Sequence, residues 1–325
     1  MLSLVLRRAL RAVLTAAGIA ILAFLVLHAR SEEALLVLAE SRGVRGEEAL
    51  AALRSAHGLD RPLLVRLGSW IGAVAEGRMG DSWSHPGSSV ARVLLDHLPL
   101  TVALTGSGLL LQLVLGLGVA AASVRNRGTW KDALLNVLAL GINALPEFCV
   151  GFLLLWPFAV RLGWFPLSGA LAAPWEAEGG LFTTLLDGVH HLALPALCLG
   201  LASFAAVARL LCLRWEDEMG TKYVVGAKAR GIPHARIVWG HGLRNAAGPL
   251  CTSVGLSLPG LVGGAVVVEQ VFNWPGMGRV LLDAIAARDL NLIAGANLLL
   301  ALLVTLGGAL SDLLFAALDP RVRRR

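Results

Sequence analysis

Six long apolar runs, separated by shorter segments that carry most of the charged residues, dominate the chain. A helix needs about 20 apolar residues to cross the hydrocarbon core of a bilayer, and each run is close to that length or longer. The hydrocarbon core offers no hydrogen-bond partners, so the backbone N–H and C=O groups of a spanning segment must pair with each other. We therefore expect each run to be helical. The predicted spans are 9–27, 98–122, 133–160, 189–213, 246–270 and 290–318.

Composition agrees with that pattern. Apolar residues make up 56% of the chain, charged residues only 15%, and the mean hydropathy is +0.72. A soluble domain carries roughly 25% charged residues, so an ordinary globular surface is excluded. The four cysteines lie in or at the ends of apolar runs without CxxC spacing, which indicates small hydrophobic side chains. The expected fold class is an all-α polytopic membrane protein.

Basic residues are distributed unevenly between the two sets of connecting segments. One set carries 17 Lys and Arg in 64 residues: 1–11, 123–131, 209–245 and 319–325. The other carries 11 in 119 residues: 28–97, 161–189 and 271–290. Since loops rich in Lys and Arg stay in the cytoplasm, both termini are predicted to be cytoplasmic. The net charge of +6 follows this topology, and no basic stripe typical of nucleic-acid binding is present.

The segment 28–97 is the one sizeable connection on the opposite side. A short helix is predicted from Glu47 to His57, ended by Gly58. A second helix carries an apolar stripe, for which packing against the protein's own helix ends is favoured over contact with interfacial lipid. The stripe consists of Leu63, Leu67, Trp70, Ile71 and Val74.

The loop 214–245 is far longer than a connection between two spans requires. It predicts a first helix from Thr221 to Arg230 stopped by Gly231, and a second from Pro233 to about Asn245. Small side chains among basic ones are typical of a docking element, although positive-inside topology explains the charges equally well. These side chains are Ala227, Lys228, Ala229, Arg230 and Arg236.

Three carboxylates lie within or near the ends of the spans: Glu147 beside Pro146, Glu269 and Asp312. Such groups are costly in lipid and face the bundle interior. Hydrogen bonding between helices is favoured over substrate contact for them. Gly260 and Gly264 predict close helix packing.

Several chemical motifs are absent from the sequence. There is no GxxxxGK[ST] loop for nucleotide phosphates, and neither HExxH nor GxSxG occurs. The adjacent His190 and His191 point about 100° apart on a helix, which favours an interfacial pair over a metal pair. We therefore expect no catalytic residue, no bound cofactor and no metal site in this chain.

The loop sequence Tyr223-Val224-Val225-Gly226-Ala227-Lys228-Ala229-Arg230-Gly231, followed by His241-Gly242-Leu243-Arg244-Asn245, resembles the EAA loop of binding-protein-dependent ABC importer permeases. Within that family the chain is similar to the dipeptide, oligopeptide and nickel branch. Further matching segments are Gly58–Leu63, Leu98–Thr101, Leu145–Phe148, Gly263–Glu269, Val271–Arg279, Arg288-Asp289, Asp312–Leu314 and Leu318–Arg321. The resemblance covers nearly the whole chain.

The resemblance implies a type I ABC importer permease fold with six spans, in the inner membrane. It implies three parts: 1–97, the first span with an external helical segment; 98–318, the permease core with the cytoplasmic coupling loop 214–245; and 319–325, a basic tail. Implied partners are a second permease subunit, two cytoplasmic ATPases that hold ATP and magnesium, and an external substrate-binding protein. In that scheme ATP moves the loop, and the spans alternate between inward-open and outward-open states.

One departure from the family pattern concerns the loop itself. Lys222 stands where an acidic residue is usual just before Tyr-Val, which affects any ion pair with the ATPase. The expected substrate is a short peptide, with nickel or a metal chelate as the alternative. A secondary transporter and a membrane-embedded enzyme are the rival classes; neither accounts for the loop motif.

Overall fold

Helices account for the regular structure of the described residues. The computed structural model describes residues 2–29, 31–41, 43, 46–169, 180–233 and 243–318, and within these ranges the sole β-interaction is an isolated bridge between Asp81 and Ser89. The helices are α1 (Leu2–Ala29), α2 (Ser31–Ser41), α3 (Glu47–Ala56), α4 (Leu63–Ala75), α5 (Val90–Arg125), α6 (Trp130–Asn143), α7 (Glu147–Leu154), α8 (Gly180–Met219), α9 (Lys222–Ala229), α10 (Leu243–Val271), α11 (Met277–Ala286) and α12 (Leu290–Leu318). A π-helical stretch, Leu155–Arg161, follows α7 directly. The predicted all-α class is confirmed.

All six predicted spans fall on helices. Among the described residues, three to five crossings meet the length and composition needed to span a membrane. Val90–Arg125, Phe182–Met219 and Leu290–Ser311 are each long and apolar enough to cross a membrane. Two bent helix pairs raise the number to as many as five among the described residues. The sixth crossing remains a prediction.

The predicted span 133–160 is two helices rather than one. Trp130–Asn143 and Glu147–Arg161 meet at an angle of 106°. Pro146 is the residue before α7, with φ −56° and ψ 143°, and a proline disfavours helical geometry at the residue before it. Pro157, within the π-helical stretch, has no N–H to donate to a helical hydrogen bond. Proline chemistry therefore accounts for both irregularities of this span.

The chain divides into two compact units. Residues 6–101 and 275–306 form what we call the N-terminal unit; the described residues of 2–5, 102–274 and 307–318 form the central unit. In the N-terminal unit, α4 packs its apolar stripe on Phe24 and Leu298 of the same unit, as expected for four of the five stripe residues. Ile71 is 42% exposed, so its predicted burial is wrong. A further core in this unit joins residues around Leu94, Met277 and Leu292.

A buried carboxylate fixes the segment before α5 to the start of α12, within the N-terminal unit. Asp289 is fully buried, and its Oδ2 accepts hydrogen bonds from Ser82 Oγ at 2.6 Å and from the backbone N–H of Trp83 at 2.6 Å. Ser84 donates to the same oxygen through its N–H and its hydroxyl, each at 2.9 Å. Asp289 Oδ1 accepts the N–H of Leu292 at 3.0 Å, which places the carboxylate at the first turn of α12. We call this group the Asp289 anchor.

Close helix packing through glycine is the corresponding feature of the central unit. A Cβ added at Gly116 of α5 would lie 2.8 Å from Val207 Cγ1 of α8, and one at Gly200 of α8 would lie 2.8 Å from Leu111 Cβ of α5. Such distances leave no space for a side chain at either position. Gln112, 1% exposed on α5, donates to Ser257 Oγ at 2.9 Å. The two long helices therefore touch nearly backbone to backbone.

Candidate functional site

The short helix α9 lies within the candidate coupling loop 214–245. Thr221 precedes it and donates its hydroxyl to the carbonyl of Glu218 at 2.6 Å. At the other end, Gly231 has φ 73°, and the N–H of Ile232 donates to the carbonyl of Ala227 at 3.2 Å. A left-handed glycine with this six-to-one hydrogen bond is a Schellman stop. The predicted helix and its end at Gly231 are confirmed to within one residue.

The two faces of α9 differ in burial. Val224 and Ala227, 0% and 2% exposed, pack with Met219 and Ile232. Lys222, Val225, Ala229 and Arg230 are exposed. Ala227 therefore lies on the buried face of α9, while Ala229 and Arg230 lie on its exposed face. Of the two small residues predicted for docking, Ala229 is exposed and Ala227 is buried.

The remaining loop residues are described only in part. Tyr223 and Lys228 lie in α9 and Arg244 and Asn245 in the first turn of α10, but their side chains are outside the described part of the structure. Arg236 lies outside the described residues. The predicted second helix, from Pro233 to about Asn245, falls mostly within 234–242, which are also outside them.

Glu147 lies at the first residue of α7, just after the bend at Pro146. Its carboxylate packs against α10 in the central unit: a Cβ added at Gly264 would collide with both oxygens. Cys198 of α8 donates its thiol to the Glu147 carbonyl at 3.5 Å. The close packing predicted for Gly264 is confirmed, whereas Gly260 is exposed with no heavy atom within 4 Å of an added Cβ, so its predicted packing is wrong.

The other two candidate carboxylates lie on α10 and α12. Glu269 is fully buried on α10, five residues beyond Gly264. Asp312 is on α12, and its side chain is outside the described part. The structure therefore brings Glu147 and the helix that bears Glu269 together. It does not assemble three carboxylates into one described cluster.

Two buried hydrogen bonds were missed by sequence reasoning. Thr101 accepts the N–H of Met277 on its hydroxyl at 2.7 Å, which joins the Leu98–Thr101 and Val271–Arg279 motif segments at the start of α11. Gln112 was also passed over, although a lone amide in the middle of an apolar run is a visible signal. Both are 1% exposed.

Within the described residues, no group of three or more His, Cys, Asp or Glu side chains is placed to hold a metal ion. His190 Nε2 lies 2.7 Å from the carbonyl of Trp164, and His191 Nδ1 lies 3.0 Å from the carbonyl of Asp187. Each ring thus pairs with a different backbone group.

The sequence is similar to a known family and to several named proteins. The family model described as binding-protein-dependent transport system inner membrane component matches residues 112–324. The oligopeptide transport system permease protein AppB of Bacillus subtilis is 30% identical over 99% of each chain. The glutathione transport system permease protein GsiC of Salmonella typhimurium is 36% identical over 99% of each chain, and the di/tripeptide transport system permease protein DppB of Pseudomonas aeruginosa is 33% identical over 100% of each.

Proposed function

Because the chain belongs to the family of binding-protein-dependent transport system inner membrane components, we propose that it is the permease subunit of an ATP-driven importer of short peptides. The full-length match to permeases named for oligopeptides, glutathione and di/tripeptides carries this proposal. These names favour the peptide over the nickel alternative.

The chain itself supplies a pathway and a docking element rather than bond chemistry. ATP and magnesium belong to two partner ATPases in this proposal, and a second, homologous permease completes the pathway. An external binding protein delivers the peptide. The exposed face of α9, with Val225, Ala229 and Arg230, touches an ATPase, and its buried face ties that contact to Met219 at the end of α8. Movement of the ATPase is thereby passed to a long apolar helix.

Uptake into vesicles tests the substrate. The full complex with its binding protein should import labelled short peptides only when ATP is supplied inside, and an excess of unlabelled peptide should compete. Free nickel should not compete. Uptake of a nickel chelate without any uptake of peptides would refute the peptide assignment and leave family membership intact.

The proposed topology, with both termini cytoplasmic, rests on the distribution of Lys and Arg. Single cysteines at the exposed positions Glu48 and Ser168, on a background free of other cysteines, should react with an impermeant thiol reagent added outside intact cells. A cysteine at the exposed Ala229 should react only after the membrane is opened. Labelling of the Ala229 position from outside would reverse the orientation.

A further inference from the structure

A cavity of about 310 Å³ lies within the central unit, between α5, α6 and α8. All its described lining residues belong to these three helices. Neither α9 nor the candidate carboxylates Glu147 and Glu269 contribute to that lining. The proposed function therefore assigns no task to this cavity.

The lining changes from apolar to polar along each of the three helices. The turn at residues 126–129 joins the end of α5 to the start of α6, and Arg127 in it lies with its Nη2 2.9 Å from Glu216 Oε2 of α8. This turn thus marks the same end of all three helices. Farther from the turn, each helix contributes an apolar residue to the lining: Val119, Ala139 and Ala205. Nearer to the turn, the lining includes Ser123, Asp132, Asn136, Arg209 and Glu216.

The direction of this change matches the predicted direction of the membrane. The turn belongs to the segment 123–131, which is predicted to be cytoplasmic from the distribution of Lys and Arg. The predicted spans 98–122, 133–160 and 189–213 each contribute lining residues. The polar end of the cavity is therefore expected at the membrane surface and the apolar end in hydrocarbon. A phospholipid of the inner leaflet has the same order, with its head group at the surface and its acyl chains inside.

Arg209 is the accessible positive charge of this cavity. Its side chain is exposed, and Leu140 and Leu213 of the same lining are 53% and 54% exposed. Within the described part of the chain, Arg209 has neither a hydrogen-bond nor an ion-pair partner. An arginine stays charged in proteins, and a charge within a span is costly unless it is paired or hydrated. Lipid phosphate is an anion that every phospholipid supplies at the membrane surface.

The negative charges of the lining favour a head group that also carries a positive charge. The charged lining residues that the structure describes are Arg209, Asp132 and Glu216. Asp132 accepts hydrogen bonds from the Ser123 hydroxyl and, at 2.9 Å, from Asn136 Nδ2, so its carboxylate is fixed at the polar end. An anionic head group would meet one positive and two negative side chains. A zwitterionic head group with a primary ammonium offers each of them an opposite charge.

We propose that this cavity binds a phosphatidylethanolamine molecule of the surrounding membrane. Arg209 binds the phosphate, because a guanidinium can donate two parallel hydrogen bonds to it. Asp132 and Glu216 supply the negative charge for the ammonium, and the apolar end receives the first part of an acyl chain. The proposal goes beyond the transport function and holds for any transported substrate.

Native mass spectrometry of the purified full-length chain tests the inference. Phosphatidylethanolamine, phosphatidylcholine and phosphatidylglycerol with identical acyl chains are titrated separately, and the affinity of the first bound lipid is compared. Phosphatidylethanolamine should bind about tenfold more tightly than phosphatidylcholine, since methylation removes the three N–H donors of the ammonium. It should also bind about tenfold more tightly than phosphatidylglycerol, whose head group brings no positive charge.

Three variants identify the binding site. Arg209→Gln removes the charge for the phosphate and should weaken phosphatidylethanolamine binding about tenfold, whereas Arg209→Lys keeps the charge and should retain most of the affinity. Arg214→Gln is the matched control, because Arg214 is also exposed on α8 but does not line the cavity. It should leave binding unchanged. Thermal unfolding of each variant without added lipid separates lost binding from lost folding.

Equal affinity for the three lipids, or tighter binding of phosphatidylglycerol, would overturn the proposal. Unchanged binding in Arg209→Gln, or an equal loss in Arg214→Gln, would overturn it as well. Phosphatidylethanolamine should remain bound in the complete transporter; its loss on assembly would mean that the second permease covers this face instead. Peptide uptake is measured separately, so a transporter that imports no peptide but binds this lipid as expected refutes the proposed function alone.

Discussion

The two units of the chain hold their helices together by opposite means. In the N-terminal unit, the buried Asp289 accepts five hydrogen bonds that tie a non-helical segment to the start of α12. In the central unit, glycines at Gly116 and Gly200 let α5 and α8 approach until no side chain fits between them. Irregular backbone needs polar partners when it is buried, whereas two helices already satisfied internally need only matching shapes.

The largest effect is expected from Asp289→Ala. The substitution leaves the donors of Ser82, Trp83, Ser84 and Leu292 without their acceptor, and unsatisfied buried groups that lose a charged partner cost about 3 kcal/mol or more. The thermal unfolding temperature of the purified chain should fall by more than for any variant below.

Asp283→Ala is the control for charge alone. Its side chain is 65% exposed, with Arg279 Nε at 3.9 Å, so the change should stay within about 0.5 kcal/mol. An equal loss of stability in both variants would mean that the anchor is no more than a surface charge.

The second prediction concerns the glycine contact. Gly200→Ala places a methyl group 3.2 Å from the backbone N of Gln112 and 3.3 Å from the carbonyl oxygen of Gly108, neither of which can turn aside. Overpacking of this kind costs about 1–3 kcal/mol. The exposed Gly118, also in α5, has no heavy atom within 4 Å of an added Cβ. Gly118→Ala should stabilise the helix by up to about 1 kcal/mol, and destabilisation by both changes would refute the packing argument.

A third variant separates backbone geometry from space. Gly231 is exposed and has room for a side chain, but its φ of 73° is strained for a branched residue. Gly231→Val should cost about 1–2 kcal/mol at the end of α9 and abolish transport-linked ATP hydrolysis while membrane insertion is retained. Gly231→Asn, which tolerates this backbone, should retain most of the activity. Normal uptake by the valine variant would remove the coupling role of α9.

The smallest effect is expected at Lys222, which is exposed. If it faces an ATPase, Lys222→Glu should change assembly of the complex at low salt by less than about 1 kcal/mol, and salt should screen the difference. Identical assembly of both proteins at low ionic strength would place this side chain in solvent. Pull-down of the ATPases across a salt series measures it.

Local rules made much of α9 and α3 predictable. Gly231 and Gly58, with φ of 73° and 62°, end their helices where the sequence placed the stops, because a helix stop depends on one residue and its neighbours. The apolar stripe of α4 was also predictable, because the helical spacing of apolar residues is a local pattern. The bend of 106° at Pro146 was not, since a proline signals a distortion without fixing its angle.

Long-range contacts were beyond the sequence. Arg288-Asp289 was recognised as a motif segment, but nothing in it indicates that its carboxylate meets Ser82 and Trp83. The faces of α9 were equally hidden, because Ala227 and Ala229 are identical in type and differ only in what lies against them. The cavity beside Arg209 required three separate helices to be brought together. Residues that are far apart in sequence and meet only in the folded chain produce no periodic pattern in the sequence.

The Asp289 anchor also has a consequence for synthesis. Ser82 and Asp289 are separated by 207 positions, so a ribosome that adds about 5–20 residues per second completes the interval in about 10–40 s. During that time the donors of Ser82, Trp83 and Ser84 have no native acceptor. The N-terminal unit is therefore completed late, after most of the chain has been made, and nascent chains that end before Asp289 should be cut by protease near Ser82 while full-length chains resist.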